Sequence, residues 1–205
     1  MSKARGSTAR RCARSNHTRI ESTCTQALES SGVESVVVCA GAWAASLLEP
    51  LGLRVPLEAA SGYHVELAGH APLVDAPILY SDAHTLVTPM AGRLRASSFM
   101  EFAGLQAPLD PRKPARLRTE LRRLGYDCPA GGASWMGPRP VLPDYLPGIG
   151  RLERTNVFYA VGHQHIGLTL APATGELISD LVAGRRTEGE LCAFDLRRFL
   201  AFGTT

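Results

Sequence analysis

The sequence predicts an α/β fold with an α+β insertion: a parallel-sheet lobe that the chain visits twice, and an antiparallel β-sheet lobe between the visits. Three observations predict it. Ser35-Val-Val-Val-Cys39 and Asn156-Val-Phe-Tyr-Ala-Val161 are apolar runs without polar alternation, as strands buried on both faces of a parallel sheet require. Each run leads through a glycine turn into a helical pattern. Between them, short β-branched runs are separated by Gly, Pro, Asp and His, the punctuation of antiparallel strands.

Residues 1–32 show neither helical nor strand periodicity, and Lys3, Arg5, Arg10, Arg11, Arg14 and Arg19 all precede the first acid, Glu21. This segment is expected to be a disordered basic extension. Order is expected from Val33, with the first strand at 35–39, and Ala40-Gly41-Ala42 turns the chain into a short helix ending near Pro50. Strand-like runs follow at 62–67, 77–80, 85–88 and 94–100. Asp110-Pro111 opens a helix, with Leu117, Leu121 and Leu124 at helical spacing up to Gly125. Its Arg116, Arg118, Arg122 and Arg123 fall largely on other faces and read as solvated. A Pro-rich stretch, 137–150, returns the chain to the first lobe. The strand at 156–161, a tight loop at 162–167 and a helix at 171–183 capped by Gly184 complete it, with Leu177, Ile178, Leu181 and Val182 expected inward. The expected domains are therefore 33–55 with 148–199, an inserted lobe at 56–147, and a tail at 200–205.

Composition narrows the class. A chain of 205 residues with 45% hydrophobic and only 20% charged residues folds around a core rather than staying disordered. The net charge of +3 is too small to indicate a nucleic-acid partner. The five cysteines (Cys12, Cys24, Cys39, Cys128 and Cys192) form no C-x-x-C pair, and an odd number is the pattern of reduced thiols in a cytoplasmic setting. No apolar run reaches the roughly 18 residues of a membrane span. A cytoplasmic location is expected, with membrane-peripheral association as the variant.

Two stretches carry candidate chemistry. In Gly162-His-Gln-His-Ile-Gly-Leu-Thr-Leu-Ala-Pro172, glycines after a buried strand admit close backbone approach by a ligand, and free N–H groups at the next helix favour negative charge. An ordinary strand-to-helix turn shares this spacing. Arg139 stands between Pro138 and Pro140, which restrict the backbone on both sides and aim a guanidinium suited to a bidentate carboxylate. A salt bridge to Asp144 or another acid fits equally. His163 and His165 form an H-x-H pair, but tetrahedral zinc needs further ligands and no spaced Cys or His cluster accompanies them, so no metal site is assigned.

Taken together, Val36-Val-Val-Cys-Ala-Gly-Ala-Trp43, Gly62-Tyr-His64, Leu79-Tyr-Ser-Asp82, Val87-Thr-Pro89, Met136-Gly-Pro-Arg-Pro-Val-Leu-Pro-Asp144 and the 162–172 stretch occur in that order. This resembles the D-amino-acid oxidase superfamily, most closely its bacterial D-amino-acid dehydrogenase and glycine oxidase branch, over about residues 35–199. The resemblance implies a Rossmann-like FAD lobe and an antiparallel substrate lobe. By the same resemblance, FAD is contacted by Ala40, Gly41, Ala42, Gly162, His163, Gln164, Gly167, Leu168 and Thr169. Arg139 is the substrate-carboxylate clamp, and Tyr80, Met100 and His165 are further substrate contacts. The implied reaction is hydride transfer from the Cα–H of a D-amino acid or related amine to flavin N5. The product is an imino acid that hydrolyses to a 2-oxo acid, and oxygen or a quinone is the electron acceptor.

The family opens with a strand, G-x-G-x-x-G and a helix that hold the FAD pyrophosphate. Glycines at 131, 132, 148, 150, 162 and 167 do not give that spacing. The N-terminal βαβ unit is thus expected to be absent, the FAD lobe partial, and residues 1–31 foreign to the family. On that expectation the chain is a truncated C-terminal part that holds FAD weakly by itself. The alternative is a non-catalytic remnant, or a subunit completing its FAD site with a partner chain that supplies the missing unit.

Overall fold

The computed structural model describes residues 11–13, 22–26, 29–68, 74–129 and 132–202. They fall into two compact units, Met1–Glu58 with Pro140–Thr205, and Ala59–Arg139. Residues 140–147, which the sequence pattern grouped with the inserted lobe, pack with the first unit.

The first unit opens with a correction. Where an irregular extension was expected, β1 (Arg11–Ala13), β2 (Ser22–Gln26) and β3 (Glu29–Val33) form an antiparallel meander, with Cys12 opposite Cys24 and Cys24 opposite Ser31. A ladder needs only paired backbone N–H and C=O groups, so strands this short and polar carry no apolar alternation to reveal them. The rest of the expected extension, and 203–205 of the expected tail, lie outside the described residues. Next, β4 (Val36–Val38) passes through a 3-10 turn at Gly41–Trp43 into α1 (Ala44–Leu48).

In the second unit β5 (Glu58–Ala68), β6 (Ile78–Tyr80), β7 (Thr85–Met90) and β8 (Arg93–Glu101) precede α2 (Arg112–Arg123) and β9 (Ser134–Val141). The sheet order is β6-β7-β8-β5-β9. Val65, Leu67, Val87, Leu94 and Ala96 on one sheet face bury against Leu117 and Leu121 of α2. Each of these Val and Leu side chains contributes about 1.5–3 kcal/mol by leaving water. Asp110 starts α2 through its carboxylate, which accepts from Arg112 N at 3.0 Å. The basic face of α2 is not all solvated: Arg118 is buried, and its Nη2 donates to Gly132 O at 2.9 Å and Ala133 O at 3.3 Å. It ties the segment entering β9 to α2, where Ala133 O also accepts from Glu66 N at 3.1 Å.

β9 was not expected, because Pro138 and Pro140 argue against a strand. It lies at the sheet edge, where a residue without an N–H breaks no interior ladder.

The chain then re-enters the first unit through β10 (Gly148–Arg151), β11 (Val157–Val161) and α3 (Gly167–Val182). β11 runs parallel to β4 and antiparallel to β10, so the sheet is mixed, in the order β10-β11-β4. Val157, Tyr159 and Val161 bury against α1 residues Ala44 and Leu48, while Phe158 and Ala160 bury against Ile178 and Leu181 of α3. β11 is therefore covered on both faces. β4 is not: it sits at the edge beyond α3, and Val37 stays 40% exposed. Val182, expected inward, is also exposed. Residues 196–202 form a 3-10 helix rather than the start of a tail, fixed where Leu196 N donates to Tyr159 Oη at 3.2 Å.

Candidate functional site

The first unit supplies a cavity of about 420 Å³, within the size range of small-molecule sites. Its wall brings together Gly41 after β4, Gly162, His163 and Gln164 after β11, and Gly167 at the start of α3. The backbone there needs glycine: Gly41 and Gly162 have φ of +54° and +77°. Gln164 shares this left-handed conformation at φ +53°, held because its N–H donates to Pro140 O at 3.0 Å and its side-chain amide to Tyr145 O at 2.9 Å. α3 begins with no side-chain cap and no acid in its first turn, so its first N–H groups face the loop with their positive end uncompensated.

Burial lowers the pKa of His163 from its ordinary value, which keeps the imidazole neutral near pH 7, and its Nε2 lies 3.0 Å from Thr174 Oγ1. Cys39 also lines the cavity, and burial raises its pKa, keeping it a thiol. Ala40, Ala42, Leu168 and Thr169 are not in the wall. Ala42 is buried, and Leu168 is 91% exposed on the first turn of α3. His165 is exposed and also outside the cavity.

Sequence reasoning missed Ala171, Thr174, Gly175 and Ile178, which complete the wall. With Gly167 they repeat at helical spacing as one face of α3. The helix was expected from Ala171, whereas α3 begins at Gly167 and carries Pro172 inside. A proline so near an exposed helix start leaves only a solvated carbonyl without its donor.

Arg198 steadies the cavity from behind. Its Nε and Nη2 donate to the Asp144 carboxylate at 2.6 and 3.1 Å, and Nη2 also to Leu146 O at 2.8 Å, pinning the turn whose Tyr145 carbonyl holds Gln164. A larger depression of about 1250 Å³ borders this pair, but its Arg198 is already committed to Asp144. The Arg198 hydrogen bond holds Asp144 below its ordinary pKa. A depressed folded-state pKa stabilises the fold above the unfolded carboxylate value, and that contribution is lost as pH falls through the folded value. Asp144→Asn should therefore lower the melting temperature near neutrality, with the gap to the parent closing on acidification. A gap constant from pH 7 to pH 2.5 would contradict it.

In the second unit Arg139 is half-buried on β9, and its Nη1 donates to Phe99 O at 3.1 Å. No carboxylate among the described residues pairs with it, since Asp144 is taken by Arg198. Burial pulls its pKa down, yet a guanidinium stays protonated. Arg139 shares a sheet face with Gly62, which it covers, away from α2. Met100 lies between Phe99 and Glu101 on β8 and is 42% exposed. Tyr80 packs on the α2 core, and its hydroxyl lies 2.8 Å from that of Tyr126. The structure therefore does not bring Tyr80 to Arg139, because the core claims its ring. Among the described residues no group of three or more His, Cys, Asp or Glu could hold a metal, and no helix is long and apolar enough to cross a membrane.

The profile of the DAO family, FAD dependent oxidoreductase, matches residues 3–181. The chain belongs to this FAD-dependent family. The match begins at residue 3, so the N-terminal segment expected to be foreign lies within it. A D-amino-acid oxidase of Bradyrhizobium diazoefficiens is 36% identical over 173 residues, 82% of this chain and 41% of that protein. A D-amino acid dehydrogenase of Paramagnetospirillum magneticum is 34% identical over 180 residues, again 82% and 41%. The structure of glycine oxidase from Geobacillus kaustophilus is similar at a TM-score of 0.70 and 29% identity, covering 91% of this chain and 49% of that one. The chain thus spans about two fifths of the length of these curated relatives.

Proposed function

We propose that this chain provides the flavin-ring and substrate-carboxylate portions of an FAD-dependent oxidoreductase acting on D-amino acids or related amines, with imino and then 2-oxo acids as products. The observation that carries the reading is the half-buried Arg139 guanidinium with one N–H committed to Phe99 O and no acid partner among the described residues. Its remaining donors suit a carboxylate in bidentate geometry.

The cavity fits the flavin end of the cofactor. Gly41, Gly162 and Gly167 let backbone approach a flat ring, and the uncapped start of α3 favours the negative charge that a reduced ring carries. FAD, when bound, supplies the two-electron acceptor for the hydride leaving the substrate Cα. The protein then has to orient rather than to ionise: Arg139 fixes the carboxylate, and neutral His163 adds no competing charge at the loop. Oxygen or a quinone is the proposed final acceptor.

A second reading, in which the chain completes its FAD site with another chain, is favoured by the edge position of β4 and its exposed Val37. One experiment serves both. FAD-saturated protein is mixed anaerobically with D-alanine, and bleaching of the visible flavin band with equimolar pyruvate and ammonia is expected. Flavin that stays oxidised with D-alanine and with glycine would remove the amino-acid reading. Bleaching only after a second chain is supplied would select the two-chain reading.

A further inference from the structure

We propose that Gly62 and Phe99 are positioning residues for Arg139, acting together at a break in the β5–β8 ladder. The inference rests on the reading in which Arg139 holds the substrate carboxylate. Along β5 and β8, Ser61 pairs with Glu101 and Tyr63 with Ser98, so Gly62 alone stands opposite Phe99 and Met100. This is a β-bulge on the central part of the sheet, a device that re-aims backbone and side chains. Phe99 adopts φ +69°, a conformation that a bulky residue with a Cβ resists. What it achieves is the direction of its carbonyl, which accepts Arg139 Nη1 at 3.1 Å.

The phenyl ring holds that conformation in place. It meets Tyr63 edge-on with ring centroids 5.9 Å apart, and Lys113 Nζ lies 5.5 Å from its centroid. Glu101 closes the arrangement by accepting from Tyr63 Oη at 2.5 Å and pairing with Lys113 at 3.1 Å. The guanidinium itself sits over the Cα of Gly62: a Cβ there would come closer than 3.0 Å to Cζ and to both Nη atoms. Glycine is thus required on one side of the guanidinium and a left-handed carbonyl on the other. Because the obstacle at Gly62 is the end of a flexible side chain, Gly62→Ala moves Arg139 and leaves the sheet intact.

The side-chain 15N signals of Arg139 in the full chain, assigned with Arg139→Lys, test this without any need for turnover. Rotation about the Cζ–Nε bond is held by the Phe99 contact, so resolved Nη signals are expected in the parent and averaged ones in Gly62→Ala. Phe99→Gly and Phe99→Val both remove the ring, but only valine opposes positive φ. Resolved signals should therefore survive in Phe99→Gly better than in Phe99→Val. In FAD-loaded protein the same order should appear as KM for D-alanine, with Gly62→Ala raised roughly tenfold or more by misplacement of the clamp. Identical Arg139 signals in the parent, Gly62→Ala and Phe99→Val would overturn the proposal. Signals that change as expected but do not respond to added D-alanine would uphold the positioning and overturn instead the carboxylate role of Arg139.

Discussion

Replacing Arg139 by alanine is expected to lower kcat/KM for a D-amino acid by about 2–4 kcal/mol of transition-state stabilisation, roughly 30- to 1000-fold. The size follows from what the group is. It is a half-buried cation with donors to spare and no internal acid among the described residues, so its contact with a substrate carboxylate would be charge-assisted and shielded from water. Arg139→Lys should fall between parent and alanine, since an ammonium keeps the charge but not the planar fork. The stability cost should be small by comparison: truncation frees one carbonyl, Phe99 O, and opens space over Gly62. Steady-state kinetics on FAD-saturated protein decide it, and equal kcat/KM in parent and alanine variant would end the assignment.

Gly162→Val should do the most damage to the cavity. At φ +77° a β-branched residue is strained by about 1–3 kcal/mol, and its Cβ would lie 2.8 Å from Leu142 Cγ in a packed core, adding about 1–3 kcal/mol of overpacking. The loop must shift to relieve this, and it carries His163 and Gln164 with it. Denaturant unfolding should show the loss of stability, and flavin affinity should fall in parallel. Gly167→Val offers the contrast: its backbone is not left-handed, and its Cβ meets only His163 Cβ at 3.3 Å. It should obstruct the flavin while costing less stability. Equal flavin affinity in the parent and both variants would take the loop out of the cofactor site.

The parts of the fold that the sequence shows are those where one physical signal dominates. The buried runs at 36–38 and 157–161, the inserted antiparallel strands and the Leu117–Leu121 stripe of α2 all announce themselves by apolar period. The meander β1–β3 is silent because strands this short and polar show no apolar alternation. β9 is masked by prolines that only an edge strand tolerates. Arg118 looked like one of several surface arginines, since nothing in a run of charges tells which one will meet carbonyls from another segment. At the site the glycine turn and Arg139 are legible from spacing and flanking prolines. The back wall at Ala171, Thr174 and Gly175 is not, because small residues inside an expected helix carry no signal of which face lines a cavity. That Tyr80 packs on the α2 core could not be read, because strand parity cannot be counted until the sheet partners of β6 are known.

The loop at 162–167 and the start of α3 are proposed to hold a flavin ring. This is tested most directly by titrating riboflavin with the unaltered chain and following flavin emission. Riboflavin carries the ring without the dinucleotide portion, so binding reports on this cavity alone. Saturable quenching with one-to-one stoichiometry, lost in Gly162→Val, is the expected result; emission that the unaltered chain leaves unchanged at every concentration would contradict the account.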